Sequence, residues 1–338
     1  MQRSVLRSAV PPVKSWEAGL TSPVALLAMA VLAFILSVSV PAGQKPIGTG
    51  PATRRVLLVS IDGLRPDVLL RAEAPTLTGL MRRGSFTMWA LTVPAAVTLP
   101  SHVSMLTGVP PGKHGIEWNK VLPLARPIYP SFPTLFEIAK RAGRATAMAA
   151  GKSKFTTLRK PETLDWSFLP AEGSLADSTV ADTTVAWLRQ HTPELLFLHL
   201  AGVDLAGHGS GWGSDVQLAA VTEADRCLAR VLAVLAEKGD LDATVILVTS
   251  DHGGAGLTHG PDDPRSRYIP WILAGPGIRR NLDLTSVPEL EIRTEDTFAT
   301  LADILGLPPD DRIDGRAVTA AFETIQRLEA TPEMSKSR

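Results

Sequence analysis

The sequence predicts an α/β fold in which a mostly parallel central sheet carries helices on both faces. Short apolar runs rich in valine, leucine and isoleucine alternate with longer segments of helical periodicity. Continuous apolar runs are typical of strands that are buried on both faces, and their alternation with helices is typical of parallel sheets. The chain has 338 residues, 45% of them hydrophobic, which is enough to bury a core in one large domain or two smaller ones.

The predicted elements alternate from one end of the chain to the other. Strands are predicted at 56–61, 145–150, 195–200, 244–249 and 271–274. Helices are predicted at 66–83, 134–141, 176–190, 216–238 and 295–305. We assign these elements to one catalytic domain at 53–325, followed by a charged, flexible tail at 326–338.

The first 52 residues differ in composition from the rest of the chain. Arg3, Arg7 and Lys14 precede an apolar run at 24–40, and a proline- and glycine-rich linker follows it. This pattern predicts either an uncleaved membrane anchor or a cleaved export signal, with small residues near Ala42 for a signal peptidase. In both cases we expect the domain to work outside the cytoplasm, in the periplasm or at the cell surface.

Overall charge and cysteine content exclude several classes of protein. Lys and Arg number 34, as do Asp and Glu, and aromatic residues make up only 5%, so binding to a nucleic acid polymer is not expected. The one cysteine, Cys227, excludes an internal disulfide and a metal site built from several thiolates. Its place in the predicted helix 216–238 favours a small core residue.

Candidate metal ligands follow three of the predicted strands. Asp251, His252 and His259 lie in a glycine-rich segment directly after strand 244–249, while Asp62 follows strand 56–61. Asp204 follows strand 195–200, and His208 comes four residues later. Imidazole and carboxylate ligands suit zinc and similar ions, and ligands of open α/β sheets bind at the carboxyl ends of strands. Six ligands are too many for one tetrahedral ion and suit two.

Each of these residues also has a simpler interpretation. The glycine-rich segment could be a polar surface turn, Asp62 or Asp204 could cap a helix, and His208 could be a surface residue.

Two-metal chemistry clamps the attacking and leaving oxygens of an in-line displacement and needs a nucleophile. The candidate is Thr98, predicted in a loop that precedes a helical segment at 103–107, where backbone N–H groups would favour a bound phosphate. The alternative is that Thr98 is a helix N-cap.

Six motifs carry a resemblance to a known family. They are Ile61-Asp62-Gly63, Thr98-Leu99-Pro100-Ser101-His102, Thr107-Gly108 with Lys113-His114-Gly115-Ile116, Gly202-Val203-Asp204 with Gly207-His208, Ser250-Asp251-His252-Gly253 and Thr258-His259-Gly260. In this order they resemble the alkaline phosphatase superfamily, specifically its type I phosphodiesterase/nucleotide pyrophosphatase branch. The resemblance covers residues 54–318 and implies an alkaline-phosphatase-like fold.

The resemblance also implies roles for individual residues. Asp204, His208 and His259 would hold one zinc ion, while Asp62, Asp251 and His252 would hold the other. Thr98 would lie beside the second ion as ligand and nucleophile and form a phosphothreonine intermediate. The implied activity is hydrolysis of a small-molecule or lipid-linked phosphoester, with a phosphodiester or a pyrophosphate as the substrate.

Two departures from the family pattern bear on the substrate. Ser101 stands where the branch usually has an asparagine that donates to a phosphoryl oxygen, and serine has a shorter reach. Asn119 is a further candidate for contact with substrate. His259 follows Asp251 by only eight residues, where nucleotide pyrophosphatases insert a long segment. The nucleotide-recognising cap is therefore expected to be missing, as in compact bacterial members.

Other functions stay open. A membrane-associated phosphoethanolamine-type transferase would use the same intermediate, and a phosphomonoesterase would need extra positive groups. A sulfatase would need cysteine or serine in place of Thr98, and a non-catalytic protein would be expected to lack some ligands.

Several residues near the motifs are interpreted as structural. We predict hydrogen-bonding roles for His102 and His114 and a core or supporting role for His199. Lys152 and Lys154, which follow strand 145–150, could meet a phosphate, but we predict solvated side chains for both.

Overall fold

Eight strands form one sheet in the computed structural model, which describes residues 55–308 and 311–323. The strands are β1 Arg55–Ile61, β2 Gly84–Leu91, β3 Thr146–Ala150, β4 Trp166–Phe168, β5 Leu195–Leu200, β6 Thr244–Thr249, β7 Tyr268–Ala274 and β8 Leu282–Asp283. The segment 1–52 and the tail 326–338 lie outside the described residues. Within those residues, every helix is too short or too polar to cross a membrane.

The strand order is β4-β3-β5-β1-β6-β7-β2-β8. The first five strands in this order are mutually parallel, and β1 lies at the centre, where Val59 pairs with Leu198 of β5 and with Val248 of β6. Strand β7 runs antiparallel to both of its neighbours, and β8 adds to β2 in parallel. The prediction of a mostly parallel sheet is confirmed.

Nine α-helices of the described residues connect these strands. They are α1 Pro66–Arg71, α2 Pro75–Arg83, α3 Thr98–Thr107, α4 Pro111–His114, α5 Leu135–Arg141, α6 Asp177–Leu188, α7 Gly202–Ser210, α8 Asp215–Glu237 and α9 Thr294–Ile304. The ends of α5, α6, α8 and α9 lie within two residues of the predicted ends. Helix α5 begins where it does because Thr134 and Glu137 form a reciprocal capping box.

Two helix predictions were wrong in extent. The segment predicted as one helix at 66–83 is two helices, because Pro75 begins α2 and disfavours helical backbone at Ala74. Helix α3 begins at Thr98 and not at Val103, so Thr98 lies inside the helix. All ten residues of α3 are buried, which removes the alternation of apolar and polar positions on which helix prediction relies.

The core has two layers, one on each face of the sheet. Val56 and Leu58 of β1 point to the layer that α3, α5 and α9 cover. Leu57 and Val59 point to the opposite layer, which α1, α2, α6 and α8 cover. Cys227 is fully buried in this second layer, as predicted. The sheet is therefore covered on both faces, and its carboxyl-terminal edge is left to the loops.

Candidate metal centre and active site

The predicted metal ligands meet at the carboxyl ends of the three central strands. Asp62 directly follows β1, Asp204 lies in the first turn of α7 after β5, and Asp251 and His252 follow β6. Gly63, with a φ of 71°, allows the loop after β1 to approach α7 closely, since a Cβ there would lie 2.9 Å from Asp204 Cα. The topology alone thus brings distant parts of the chain to one site.

The ligand atoms fall into two groups of three. Asp62, Asp251 and His252 form one group, while Asp204, His252 and His259 form the other, and within each group all ligand atoms lie within 4.8 Å of one another. His208 adds to the second group from its open side, with Nε2 3.4 Å from Asp204 Oδ1 and a side chain 43% exposed. His252 therefore stands between the two groups.

Three histidines are held in the form that binds a metal ion. Each Nδ1 donates to a backbone carbonyl, so each Nε2 keeps its lone pair and faces the carboxylates. The acceptors are Gly253 for His252 at 2.8 Å, Ala96 for His259 at 2.8 Å and Leu257 for His208 at 2.9 Å. The rings of His252 and His259 stack, with their centroids 3.7 Å apart.

Three carboxylate oxygens at this site are buried without a hydrogen-bond partner among the described residues. They are Asp62 Oδ1, Asp204 Oδ1 and Asp251 Oδ2. A buried charged oxygen without a partner costs several kcal/mol, and the Nε2 lone pairs add further negative potential. Oxygen and imidazole donors in this arrangement fit divalent metal ions.

Burial shifts the pKa values of the histidines and carboxyl groups at this site. It lowers the pKa of His252 to about 4 and also lowers the pKa of His259, so burial favours the neutral form of both rings. Burial by itself raises the pKa of Asp62, but the Lys152 ammonium and His199 hold that pKa well below its usual range. Burial and the charge of Asp62 raise the pKa of Asp251. Three carboxyl groups, those of Asp62, Asp204 and Asp251, thus lie near one buried ammonium group, that of Lys152.

Lys152 is buried at the centre of the site, so the prediction that it is solvated was wrong. Its Nζ lies 2.7 Å from Asp62 Oδ2 and 2.6 Å from Asp204 Oδ2. His199 Nε2 also donates to Asp62 Oδ2 at 2.9 Å. These contacts turn the other oxygen of each carboxylate, Oδ1, toward the histidines. Lys152 follows the carboxyl end of β3 by two residues, so the rule that pointed to the ligands could also have indicated this lysine.

Thr98 lies beside the first group of ligands, with Oγ1 3.4 Å from His252 Nε2. Val97 occupies the N-cap position of α3, and Thr98 is the first helical residue, so the N-cap interpretation does not hold. His102 Nδ1 donates to the Thr98 carbonyl at 2.7 Å, and Ser60 Oγ donates to His102 Nε2 at 2.7 Å. His102 therefore links the start of α3 to β1.

The sequence profile of the type I phosphodiesterase/nucleotide pyrophosphatase family matches residues 56–262, a span that contains Thr98 and every predicted metal ligand. The chain belongs to this family.

Members of the family and their relatives resemble the chain over long spans. The chain is 26% identical to the catalytic subunit of human GPI ethanolamine phosphate transferase 2 in an alignment 276 positions long, which covers 78% of the chain and 27% of that protein. It is 26% identical to an uncharacterized pyrophosphatase/phosphodiesterase of Schizosaccharomyces pombe in an alignment 225 positions long, which covers 62% of the chain and 46% of that protein. The chain thus spans less than half the length of these curated relatives.

A solved structure of murine ectonucleotide pyrophosphatase/phosphodiesterase 5 has the same fold. It superposes with a TM-score of 0.63 at 16% identity and covers 75% of the chain and 96% of the murine chain. The predicted membership of the alkaline phosphatase superfamily, and of this branch, is confirmed.

The two candidate substrate-binding residues differ in their surroundings. Ser101 is fully buried in α3, and its hydroxyl accepts from the Thr92 hydroxyl at 3.1 Å. Asn119 is half-buried, and its Oδ1 accepts from the backbone N–H of Leu99 at 2.9 Å. Asn119 therefore contacts Leu99, the residue next to Thr98, whereas the contact of the buried Ser101 is with Thr92.

Proposed function

We propose that this chain hydrolyses phosphoric esters, as a phosphodiesterase or pyrophosphatase, with two zinc ions and Thr98 as the nucleophile. The observation that carries the proposal is the convergence of Thr98 Oγ1 on two groups of metal-binding atoms that include three unpartnered carboxylate oxygens. Asp62, Asp251 and His252 would hold one ion, and Asp204, His259 and His208 would complete the other. Zinc is the preferred ion because the donors are imidazole nitrogens and carboxylate oxygens.

Metal ions bound at this site would lower the pKa of the Thr98 hydroxyl and neutralise charge on the phosphoryl oxygens. The Thr98 hydroxyl releases its proton to solvent, Oγ1 attacks phosphorus, and the bond to the leaving oxygen breaks as that oxygen departs with the electron pair and takes up a proton from solvent. Water then attacks the phosphothreonine in line and releases a proton to solvent. The bond between phosphorus and Oγ1 breaks, and Oγ1 takes up a proton to restore the hydroxyl. Two in-line steps give net retention at phosphorus. The start of α3 assists, because its first-turn N–H groups favour negative charge beside Thr98.

The substrate is proposed to be a small-molecule or lipid-linked phosphoester. The protein is proposed to lack a dedicated nucleotide-recognising cap. The murine relative was solved in complex with AMP. In this chain only a tight turn, in which Ala255 and Thr258 pair with each other, separates His252 from His259. If the segment 1–52 directs export or anchoring as its composition predicts, the substrate is met outside the cytoplasm.

A transferase is the second candidate, because the chain resembles the human ethanolamine phosphate transferase over 78% of its length. In this reaction an acceptor hydroxyl would take the place of water in the second step. The two activities differ in one measurable quantity, the yield of transferred product when an alcohol acceptor is added.

The test is turnover of the zinc-loaded full chain on aryl phosphodiester, phosphomonoester and sulfate substrates, beside Thr98→Ala. We expect phosphoester turnover and a loss of roughly a thousandfold or more in Thr98→Ala. Thr192→Ala, an exposed threonine that precedes β5 at the opposite edge of the sheet, is the matched control and should keep native turnover. Full turnover by Thr98→Ala would overturn the covalent mechanism.

A further inference from the structure

The large apolar side chains that remain exposed are confined to the edge of the sheet that carries the candidate metal centre. Nine such side chains are exposed among the described residues. None of the nine belongs to the connections at 142–145, 189–194 and 238–243, which lead into β3, β5 and β6 at the opposite edge. Single exposed apolar residues are common on protein surfaces, but a random distribution would place some of them at each edge. The rim around the metal centre is therefore selectively apolar.

One group of these side chains lies on the side of the sheet where β7 and β2 pair. Leu70 of α1 is 64% exposed, and Trp89, near the carboxyl end of β2, is 59% exposed. Tyr268 begins β7, and its ring meets the Trp89 ring edge to face, with the centroids 5.1 Å apart. All three side chains line one open groove. Tryptophan and tyrosine are enriched at the boundary between lipid headgroups and hydrocarbon, so this group, the first flank, has the composition of a membrane contact.

A second group lies in the connection between α4 and α5, on the side of the sheet where β3 ends. Val121, Leu124 and Ile128 are exposed there, and the connection packs on the 3₁₀ turn that follows β3. The segment 118–130 also contains two exposed basic residues, Lys120 and Arg126, and no acidic residue. Basic charge among exposed apolar side chains is attracted to the anionic headgroups of a bilayer. This second flank is therefore complementary in charge to an anionic lipid surface.

Three further side chains complete the rim between the flanks. Leu205 lies in α7, Leu257 lies in the turn between His252 and His259, and Val216 lies in the first turn of α8. Leu257 also accepts from His208 through its carbonyl, and His208 is the exposed part of the metal centre. A protein bound stably across the whole rim would cover His208 and close the site. A lipid bilayer covers the same rim and at the same time presents phosphoesters to it.

We propose that this rim is a membrane-docking surface that holds the metal centre against the headgroups of a bilayer containing anionic lipid. The two flanks insert apolar side chains at the headgroup boundary, while Lys120 and Arg126 meet anionic headgroups. The inference rests on the proposed function in one respect, since it favours lipid-linked phosphoesters over soluble ones as the substrates. The docking itself depends only on the rim.

Fluorescent labels on the zinc-loaded full chain test the docking. Cys227 is the one cysteine of the chain and is fully buried, so an environment-sensitive thiol reagent labels an introduced cysteine selectively. Leu70→Cys reports on the first flank and Val121→Cys on the second, while Gln190→Cys is the control, because Gln190 is exposed before β5 at the opposite edge. Each label reports lipid contact at its own position, so attachment through the segment 1–52 alone gives no signal.

The vesicles contain equal parts of phosphatidylcholine and phosphatidylglycerol. We expect the labels at both flanks to shift to shorter wavelength and to be quenched by brominated lipid, whereas the control label should do neither. Combined with the Leu70→Cys label, Leu124→Asp should lower the ratio of docked to undocked chain by about tenfold, the effect of losing one buried leucine side chain. Gln190→Asp adds the same charge at the opposite edge and should leave that ratio unchanged. If Leu124→Asp does not fold, the labels on the native rim carry the test.

Several results would overturn the docking. They are silence of both flank labels, a response of one flank alone, and a response of the control label as strong as that of the flanks. A response of the flank labels to concentrated protein without vesicles would assign the rim to a second copy of the chain and would overturn it as well. A chain that docks but cleaves no phosphoester overturns the proposed hydrolase and leaves the docking standing. A chain that cleaves soluble aryl esters while both flank labels stay silent overturns the docking alone.

Discussion

Lys152 Nζ lies 2.6 Å from Asp204 Oδ2, inside the site where the two groups of metal ligands meet. The same ammonium lies 2.7 Å from Asp62 Oδ2, so one side chain joins a carboxylate of each group. It balances part of the negative charge and orients the carboxylate oxygens that face the histidines. A lysine thus belongs to the architecture of the candidate metal centre without being a candidate ligand.

Replacing Lys152 should destabilise the metal-free protein more than the zinc-loaded protein. In Lys152→Met, the buried carboxylates lose their cation, and we expect the free energy of unfolding to fall by about 3 to 5 kcal/mol. Zinc should restore much of this loss, because it supplies the missing positive charge. The measurement is chemical unfolding with zinc and with a chelator. Lys160→Met, which breaks the more exposed pair with Glu137, is the control and should cost about 1 kcal/mol or less. An equal loss with and without zinc would contradict this account.

The single free nitrogen of each ring predicts equal metal losses in two histidine variants. Nδ1 of His252 donates to the Gly253 carbonyl and Nδ1 of His259 donates to the Ala96 carbonyl, so each ring offers one nitrogen to one ion. Metal analysis after dialysis should give close to two ions in the native chain and close to one in His252→Ala and in His259→Ala. His191→Ala, an exposed histidine, serves as the control and should keep both ions. Two ions retained in either variant would contradict the role of that histidine as a ligand.

His114 predicts a loss of stability at acidic pH that is separate from the metal site. Its Nδ1 accepts from the Ile116 N–H at 3.1 Å, and burial lowers the pKa of the ring to about 4. The unfolded chain takes up this proton near pH 6.5, so the contribution of His114 is complete above that pH and is lost as the pH falls toward 4. The linked change is roughly 3 kcal/mol.

His114→Gln should remove this dependence. The difference in unfolding free energy between native protein and variant, measured by urea unfolding at matched zinc, should shrink as the pH falls from 7 to 4. A difference that stays constant across this range would show that His114 does not titrate as described.

The space around Gly254 and Gly79 predicts opposite outcomes for their replacement by alanine. Trp212 Nε1 donates to the Gly63 carbonyl at 2.9 Å, and the Trp212 ring packs so closely on Gly254 that a Cβ there would lie 2.3 Å from Trp212 Cε2. Gly254→Ala should therefore cost about 1 to 3 kcal/mol and weaken zinc binding, since Trp212 supports the loops after β1 and β6. Gly79→Ala in α2, where a Cβ meets nothing within 4 Å, should stabilise by about 0.5 to 1 kcal/mol. Thermal unfolding measures both, and a stabilising Gly254→Ala would refute the packing argument.

Sequence reasoning succeeded where one local pattern decides the structure. The strands that precede Asp62, Asp204 and Asp251 are uninterrupted apolar runs, so their ends, and the residues delivered there, could be read directly. Strand β2 was not predicted because its burial pattern is mixed and Trp89 is exposed. Strands β4 and β8, with three and two residues, are too short to show a period.

Sequence reasoning also failed where the position of a charged side chain depends on its partners in the folded protein. Lysine side chains are mostly exposed, and only the fold shows that Lys152 meets two carboxylates, those of Asp62 and Asp204, which are 90 and 52 residues away along the chain. The same holds for Lys154, which is half-buried and donates to Asn119 Oδ1 at 3.0 Å, so the prediction that it is solvated was also wrong.

The turn between His252 and His259 has a consequence for protein engineering. The Gly256 carbonyl accepts from the backbone N–H of Trp212 at 2.9 Å, and the Leu257 carbonyl accepts from His208 Nδ1 at 2.9 Å. A designer who wished to graft a specificity domain onto this scaffold would choose such an exposed tip for the splice. An insertion at this turn would break the hydrogen bonds of the turn carbonyls to His208 and Trp212. The inserted domain would therefore have to supply two backbone carbonyls in the same positions.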